Sequence, residues 1–341
     1  MLSQYSFRII YIVIAILSMT INGVVAEHSK IYHLYGKTMG NNYAISLVTH
    51  SLTPQQAFDL RNKIEHELDI VNSIMSTWRK DSEITKINLL DANEIISISE
   101  PLKNIINESL AIEKMTHGAF DITVAPLVKL WGFGPGNIPS KIPDQAEITE
   151  VKNYTGSHHF QLQDNHYSKK DRRVQIDLSG IAKGHGVDVV ANTLEKNGYH
   201  NYLINIGGEI YAKGNKLDGS AWLITIEDPR KNTAINTKIN INGMAVATSG
   251  DYRNYFEAQG VRFPHVIDPK TGWASQTHII SATVITPKCA TADAIATAAM
   301  VMGAQKAMAF ATKHDIALML IEEHFGNVKV HRSKAFTKFI Q

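Results

Sequence analysis

The chain has 341 residues, with 34 Lys or Arg against 32 Asp or Glu and a formal net charge of +2 with His neutral. That balance argues against a strongly basic nucleic-acid-binding face. With 44% hydrophobic and 19% charged residues and a mean hydropathy of −0.12, it also argues against a disordered chain, a collagen or a polytopic membrane protein. One cysteine, Cys289, leaves no intramolecular disulfide and no cysteine metal cage.

The first segment reads as a leader. Arg8 precedes an apolar run, Ile9 to Leu17, too short for a membrane-spanning helix of about 20 residues. Asn22-Gly23 interrupts it, and Val24-Val25-Ala26 offers a cleavage pattern before Glu27. We expect residues 1–26 to be a Sec signal peptide and 27–341 to be the mature domain, periplasmic in a Gram-negative host. The alternative is an uncleaved leader anchored in the inner membrane. No Cys stands near the cleavage point, so the protein is not expected to be a lipoprotein.

Beyond the leader, Tyr43 to Val48 alternates as a strand does. Thr53-Pro54 opens a helix whose apolar stripe is Ala57, Leu60, Ile64, Leu68, Val71 and Met75. A short helix starts at Asp81 or Ser82 with Ile84 and Ile87 inward. A third runs from Pro101 to Thr116, with Gly118 as its C′ residue. Residues 132–143 and 152–173 read as surface loops with one edge hairpin. From Val174 the pattern becomes strand, tight glycine turn, helix (Val187 to Lys196) and strand (Tyr202 to Ile206). Short strands follow at Trp222 to Ile226, Lys238 to Ile241, Ala245 to Thr248 and Ile279 to Ile285. A small-residue helix from Thr291 to Met302 is followed, after Gly303, by another to Lys313. Ala317 to Ile321 and Val328 to Val330 form a closing hairpin around Phe325-Gly326-Asn327. Helices and strands interleave without regular alternation, which predicts α+β in place of a doubly wound parallel sheet.

Three segments carry residues suited to chemistry. Asp177 to Asp188 holds three glycines and Lys183 between a strand and a helix. Backbone N–H groups, a helix N-terminus and a cation suit a phosphate there, although a Gly-rich turn serves structure equally well. Asp293 and Thr297 stand at i and i+4 on one helix face among alanines. Carboxylate and hydroxyl oxygens suit Mg²⁺; alternatively Asp293 complements the dipole of a first turn capped by Thr291. His265 precedes the turn Asp268-Pro269-Lys270-Thr271-Gly272, where it can serve as a general base or be an ordinary surface histidine. Trp78, between polar residues, suits stacking on a planar ligand.

In this order the segments resemble the ApbE family, the FAD:protein FMN transferases. Eight motifs carry the likeness: Thr38-Met39-Gly40, 77–84 around Trp78, Gly118-Ala119-Phe120-Asp121, 177–184, Asn205-Ile206-Gly207-Gly208-Glu209, 248–252, 265–272 and 291–297. The resemblance implies a single α+β domain of the T-fold-like ApbE type, with antiparallel or mixed sheets and packed helices. It also implies Mg²⁺-dependent transfer of FMN from FAD to a threonine hydroxyl of a target protein, releasing AMP. Carried over by position, it assigns FAD contacts to Met39, Trp78, Ala119, Phe120, Asp121, Asp177, Lys183, His265 and Ile267. Metal ligation falls to Gly180 (through its carbonyl), Asp293 and Thr297, and catalysis to His265, Asp293 and Lys183. Trp78 stands where the family commonly has Tyr, which preserves stacking but not a phenol hydrogen bond. The acceptors so implied resemble membrane-bound, flavin-carrying subunits of Na⁺-pumping NADH:quinone reductase or Rnf complexes; nucleic acid is not a partner. The same site would serve an Mg²⁺-dependent FAD pyrophosphatase, and a non-catalytic periplasmic flavin-binding protein is a further alternative.

Overall fold

The computed structural model describes residues 29–136, 141–226, 229, 236–251, 255–258 and 260–341. The leader read at 1–26 and Tyr252 of the 248–252 motif lie outside them. Strand β1 (Lys30–Thr38) turns over Met39-Gly40 into β2 (Asn41–Thr49), both turn residues having positive φ (50° and 70°), as a tight two-residue hairpin requires. Helix α1 (Pro54–Met75) starts at a capping box of Thr53 and Gln56 and buries Leu60, Ile64, Leu68, Val71 and Met75. Ser82 caps α2 (Glu83–Leu89), which buries Ile84 and Ile87.

Short β3 (Ile96–Ser97) and α3 (Glu100–Met115) follow. Helix α3 ends in a Schellman turn with His117 at C′ (φ 53°) and the Gly118 N–H on Glu113 O at 2.8 Å. Gly118 is therefore the C″ residue, one place later than its composition predicts. Helices α4 (Ala125–Leu130) and α5 (Gln145–Lys152) are additional to the elements expected. The polar stretch after them contains the expected hairpin, β4 (Phe160–Gln163) and β5 (His166–Lys169), on which β3 pairs.

From Val174 the structure corrects the expectation. Residues 174–178 form no strand, and Asn88 instead ties this segment to α2 by accepting the Ile176 N–H (2.7 Å) and donating to Ile176 O (2.9 Å). Helix α6 (Ser179–Lys196) begins eight residues before Val187, so Gly180, Gly184 and Gly186 lie inside a helix and not in a turn. Beyond it, β6 (Tyr202–Ile206) and β7 (Glu209–Lys213) form a hairpin over Gly207-Gly208. Strands β8 (Trp222–Ile226), β9 (Thr237–Ile241), β10 (Met244–Gly250), β11 (Tyr255–Ala258), β12 (Val261–Pro264) and β13 (Ile279–Thr286) come next. Helix α7 (Cys289–Lys313) is broken at Gly303 (φ 74°, ψ 165°), where the sequence placed a break. Strands β14 (Ala317–His324) and β15 (Asn327–Arg332) close the chain with α8 (Lys334–Thr337).

Eight strands form one sheet in the order β1-β2-β6-β7-β10-β13-β14-β15. Every neighbouring pair in it is antiparallel. Its strands alternate faces as the pleat dictates. In β14, Leu318 and Leu320 join the cluster around α3 and α7, while Ala317, Met319 and Ile321 meet the β8–β9 hairpin and Phe336 of α8. Helices α1 and α6 cover the β2–β6 part of the same face as α7. Apolar residues on nearly every side of α7 follow from this position between α6, α3 and the sheet.

One buried lysine holds the approach to α6. Lys169, 1% exposed, donates to Asn88 O (2.8 Å), Arg172 O (3.1 Å) and Val174 O (3.0 Å). Burial pushes its pKa down to about 8, and the three carbonyls favour the ammonium against that push. Lys169→Met keeps the apolar stem but strands three acceptors. It should lower unfolding free energy in urea by about 2–4 kcal/mol, and a loss below about 0.5 kcal/mol would show that water replaces the ammonium at no cost.

Candidate active site

Helices α6 and α7 meet at the site, and glycine sets how closely. A Cβ on Gly184 would lie 2.7 Å from Ala290 N and nearer still to the Cys289 carbonyl. On Gly180 it would lie 3.1 Å from Phe120 Cε2 and 3.5 Å from Thr297 Oγ1, and on Gly186 2.9 Å from Met39 Cε. The glycines expected to cradle a phosphate as a turn are therefore helical: Gly180 and Gly184 give α6 a flat side against Phe120 and α7, and Gly186, on the opposite side, makes room for Met39.

Helix α7 takes its cap from α6. The Asp188 carboxylate accepts the N–H groups of Cys289 (2.8 Å) and Ala290 (2.9 Å), which satisfies two donors that a helix start leaves open. Thr291, expected as the cap, instead donates from Oγ1 to Glu108 Oε1 at 3.0 Å. Burial pushes the Asp188 carboxyl up to about 6 against the pull of those two N–H groups. Cys289 is buried.

This docking brings Asp293 onto α6. Asp293 is 3% exposed; its Oδ2 accepts the Gly184 N–H at 3.0 Å and its Oδ1 lies 3.8 Å from Lys183 Nζ. In an α-helix the N–H of residue 184 points to the carbonyl of residue 180, so Asp293 competes with Gly180 O for that donor. A carbonyl has two lone pairs, so Gly180 O retains capacity for another ligand. One turn along α7, Thr297 Oγ1 is hydrogen-bonded to Ser249 Oγ at 3.2 Å. Lys183 Nζ donates to Glu209 Oε1 at 2.5 Å. Glu209 is 1% exposed, and its Oε2 has no hydrogen-bond partner among the described residues.

Burial opposes the charge on Lys183, but Asp293 and Glu209 overcome it and hold the ammonium above the usual lysine range. Burial, and then the Asp293 charge, push Glu209 up to about 7 while Lys183 pulls it down. Burial likewise raises Asp293, opposed by Lys183 and the Gly184 N–H. Two carboxylates and one ammonium carry a net charge of −1 when all are ionised, a poor state for a buried cluster without a counterion. Asp293, Thr297 and Gly180 O are hard oxygen donors, which fits a divalent cation. Mg²⁺ in particular takes only one or two protein carboxylates and fills its shell with water and phosphate oxygens. Among the described residues, no group of three His, Cys, Asp or Glu is placed to hold a metal.

Asp121 caps the short 3₁₀ turn Ile122–Val124, its Oδ1 accepting Thr123 N (2.7 Å) and Thr123 Oγ1 (2.6 Å). Asp177 hangs on that turn through its N–H to Ile122 O (2.7 Å), and its Oδ1 accepts the Ser179 N–H (2.8 Å). Burial raises both carboxyls, opposed by the hydrogen bonds from Thr123 and Ser179. Nearby, Glu113 accepts from Ser157 Oγ (2.7 Å) and is pushed to about 7 by burial and the Asp121 charge. His265 follows β12 with its ring edge-on to Phe133, centroids 6.3 Å apart. The turn after it reaches the 118–121 stretch, since a Cβ on Gly118 would lie 3.6 Å from Lys270 Cε.

The structure thus gathers Met39, Phe120, Gly180, Lys183, Asp293 and Thr297 around the first turns of α6, with Ala119, Asp121 and Asp177 on the connected 3₁₀ turn. Ile267, 5% exposed, packs its side chain with Leu127, Trp131 and Ile148. Trp78 lies on the turn after α1 and is 72% exposed. Sequence reasoning missed the roles of Glu209, Ser249 and Asp188. Gly207-Gly208 between two β-like runs is a hairpin signal, and recognising it would have put Glu209 first on an inward-facing strand.

The antiparallel α+β scaffold places the chain among flavin-transferase structures. The chain is similar to the flavin transferase ApbE from Vibrio cholerae (TM-score 0.84, 38% identity, 91% of this chain and 99% of that one). It is also similar to the flavinyl transferase ApbE of Pseudomonas stutzeri in its apo form (TM-score 0.85, 33% identity, 91% and 97%). Residues 39–320 match the ApbE family. The FAD:protein FMN transferase of Vibrio cholerae serotype O1 is 40% identical over 90% of this chain and 92% of its own length, and that of Escherichia coli K12 36% over 90% and 88%. The chain belongs to the ApbE family.

Proposed function

We propose that this protein is an Mg²⁺-dependent FAD:protein FMN transferase that joins FMN to a threonine hydroxyl of a target protein and releases AMP. The observation that carries this reading is the cluster of Asp293, Lys183 and Glu209 at the α6–α7 contact, with Thr297 and Gly180 beside it. Asp293, Thr297 and Gly180 O would hold the metal. When bound, Mg²⁺ polarises phosphoryl oxygens and offsets the charge of the pyrophosphate.

Met39 and Trp78 supply apolar and aromatic surface for the flavin and adenine rings, with the buried Phe120 packed against Gly180 beside them. Lys183 offers a fixed positive charge for a phosphate oxygen, where pre-set electrostatics lower the barrier most. The threonine oxygen forms its bond to the FMN-side phosphorus as the bond from that phosphorus to the bridging oxygen breaks. The electron pair leaves with AMP, and His265 accepts the threonine proton. On the strength of the leader, we place the enzyme in the periplasm. Its acceptors there would be membrane-bound subunits resembling those of Na⁺-pumping NADH:quinone reductase or Rnf complexes.

The test is incubation with FAD, Mg²⁺ and a subunit or peptide carrying an Asp-x-x-(Ser/Thr)-Gly-Ala-Thr acceptor, followed by mass measurement. A gain of one FMN on the acceptor is expected; FMN and AMP in solution without an adduct would make the protein a pyrophosphatase. His265→Ala should slow transfer by about 10²–10⁴-fold with FAD binding preserved. Lost binding with unchanged turnover per bound FAD would remove His265 from the base role.

A further inference from the structure

We propose that Glu209 is a positioning residue that holds the Lys183 ammonium off Asp293, keeping the Asp293 carboxylate open to a divalent cation. The inference rests on the function proposed above. Lys183 Nζ is 2.5 Å from Glu209 Oε1 but 3.8 Å from Asp293 Oδ1, about 1 Å beyond a charge-assisted hydrogen bond. In a buried cluster the pull between opposite charges is strong, so without a competitor the flexible lysine stem would close that gap. A direct Lys183–Asp293 pair would cover the oxygen a metal needs and place a positive charge against the ion.

Glu209 is well built for this restraint. It follows the two-residue turn Gly207-Gly208, pairs with Ile206 in the β6–β7 register, and therefore sits on a strand of the central sheet. Asn205 Oδ1 accepts the Gly208 N–H at 2.9 Å and steadies the turn. Among the described residues only one carboxylate oxygen of Glu209 is used; the other is buried without a partner there. A residue needed merely to neutralise Lys183 would not keep a second buried carboxylate near it, since Asp293 alone would suffice. With both ionised beside one ammonium, the cluster is negative and gains from a divalent ion.

Mn²⁺ titration of the full protein, with free ion read by electron paramagnetic resonance, tests the proposal. Glu209→Gln preserves volume and an acceptor for Lys183 but removes the competing charge. It should weaken Mn²⁺ binding by about tenfold or more. In a Lys183→Met background the same substitution should cost less than about threefold, because the ammonium being restrained is gone. Thermal unfolding of each variant checks that the fold persists. Undiminished affinity in Glu209→Gln would overturn the proposal, as would equal losses in the two backgrounds, which would make Glu209 a ligand in its own right. Wild-type protein that binds Mn²⁺ but transfers no FMN would sink the proposed function alone, with the predicted Mn²⁺ losses still supporting the positioning role.

Discussion

Asp293→Ala should abolish metal-dependent turnover, lowering kcat by about 10²–10³-fold or more at millimolar Mg²⁺. The carboxylate is the charged oxygen donor in the proposed metal set, and Thr297 and Gly180 O offer only neutral dipoles in its place. Asp293 also accepts the Gly184 N–H at 3.0 Å, so alanine strands a buried donor and slightly loosens the α6–α7 contact. Asp293→Asn separates the two effects. Its amide oxygen still accepts from Gly184, so unfolding free energy should stay near wild type, while turnover falls as far as in the alanine variant. Rates measured across a Mg²⁺ series decide the matter: near-normal turnover of either variant at ordinary Mg²⁺ would remove Asp293 from the ligand set.

Gly184→Ala should be the most damaging small substitution for stability. The added methyl meets backbone atoms, the Cys289 carbonyl and Ala290 N, and backbone at a capped helix start cannot turn aside as a side chain can. Asp188 pins those same residues through two hydrogen bonds. Relief therefore requires α7 to move away from α6, at a cost of about 3 kcal/mol or more. The expected result in urea is a lower midpoint with an unchanged slope. A loss below about 1 kcal/mol would mean that the helices separate easily. Because Asp293 reaches Gly184 across this contact, activity should fall more than the loss of folded protein alone explains.

Much of the fold is legible in local signals. Thr53-Pro54 with Gln56, the stripe from Leu60 to Met75 and the Ser82 cap each act within one or two helical turns, so a short window of residues holds the whole cause. The break at Gly303 and the hairpin around Phe325-Gly326 are equally local, since positive φ is demanded there. The residue types at Lys183, Asp293 and Thr297 offer a cation and hard oxygen donors, which locally suit phosphate and Mg²⁺ as well as a structural turn and a helix-dipole carboxylate.

What the tertiary structure alone decided is how those residues meet. Glycine in a sequence signals either a turn or room for a neighbour, and the two have the same local composition; at 180, 184 and 186 the neighbour is α7 with Phe120 and Met39. Lys183 finds Glu209 26 residues away, and Gly184 finds Asp293 109 residues away. Asp188 caps a helix that begins 101 residues later. No periodicity encodes such contacts, because they arise from the order of strands in the sheet and the crossing of two helices upon it. The sequence by itself determined most of the helices and strands, the local caps at Thr53 and Ser82 and the kinds of atoms available for chemistry. Burial and helix packing determined which of those atoms share a charge.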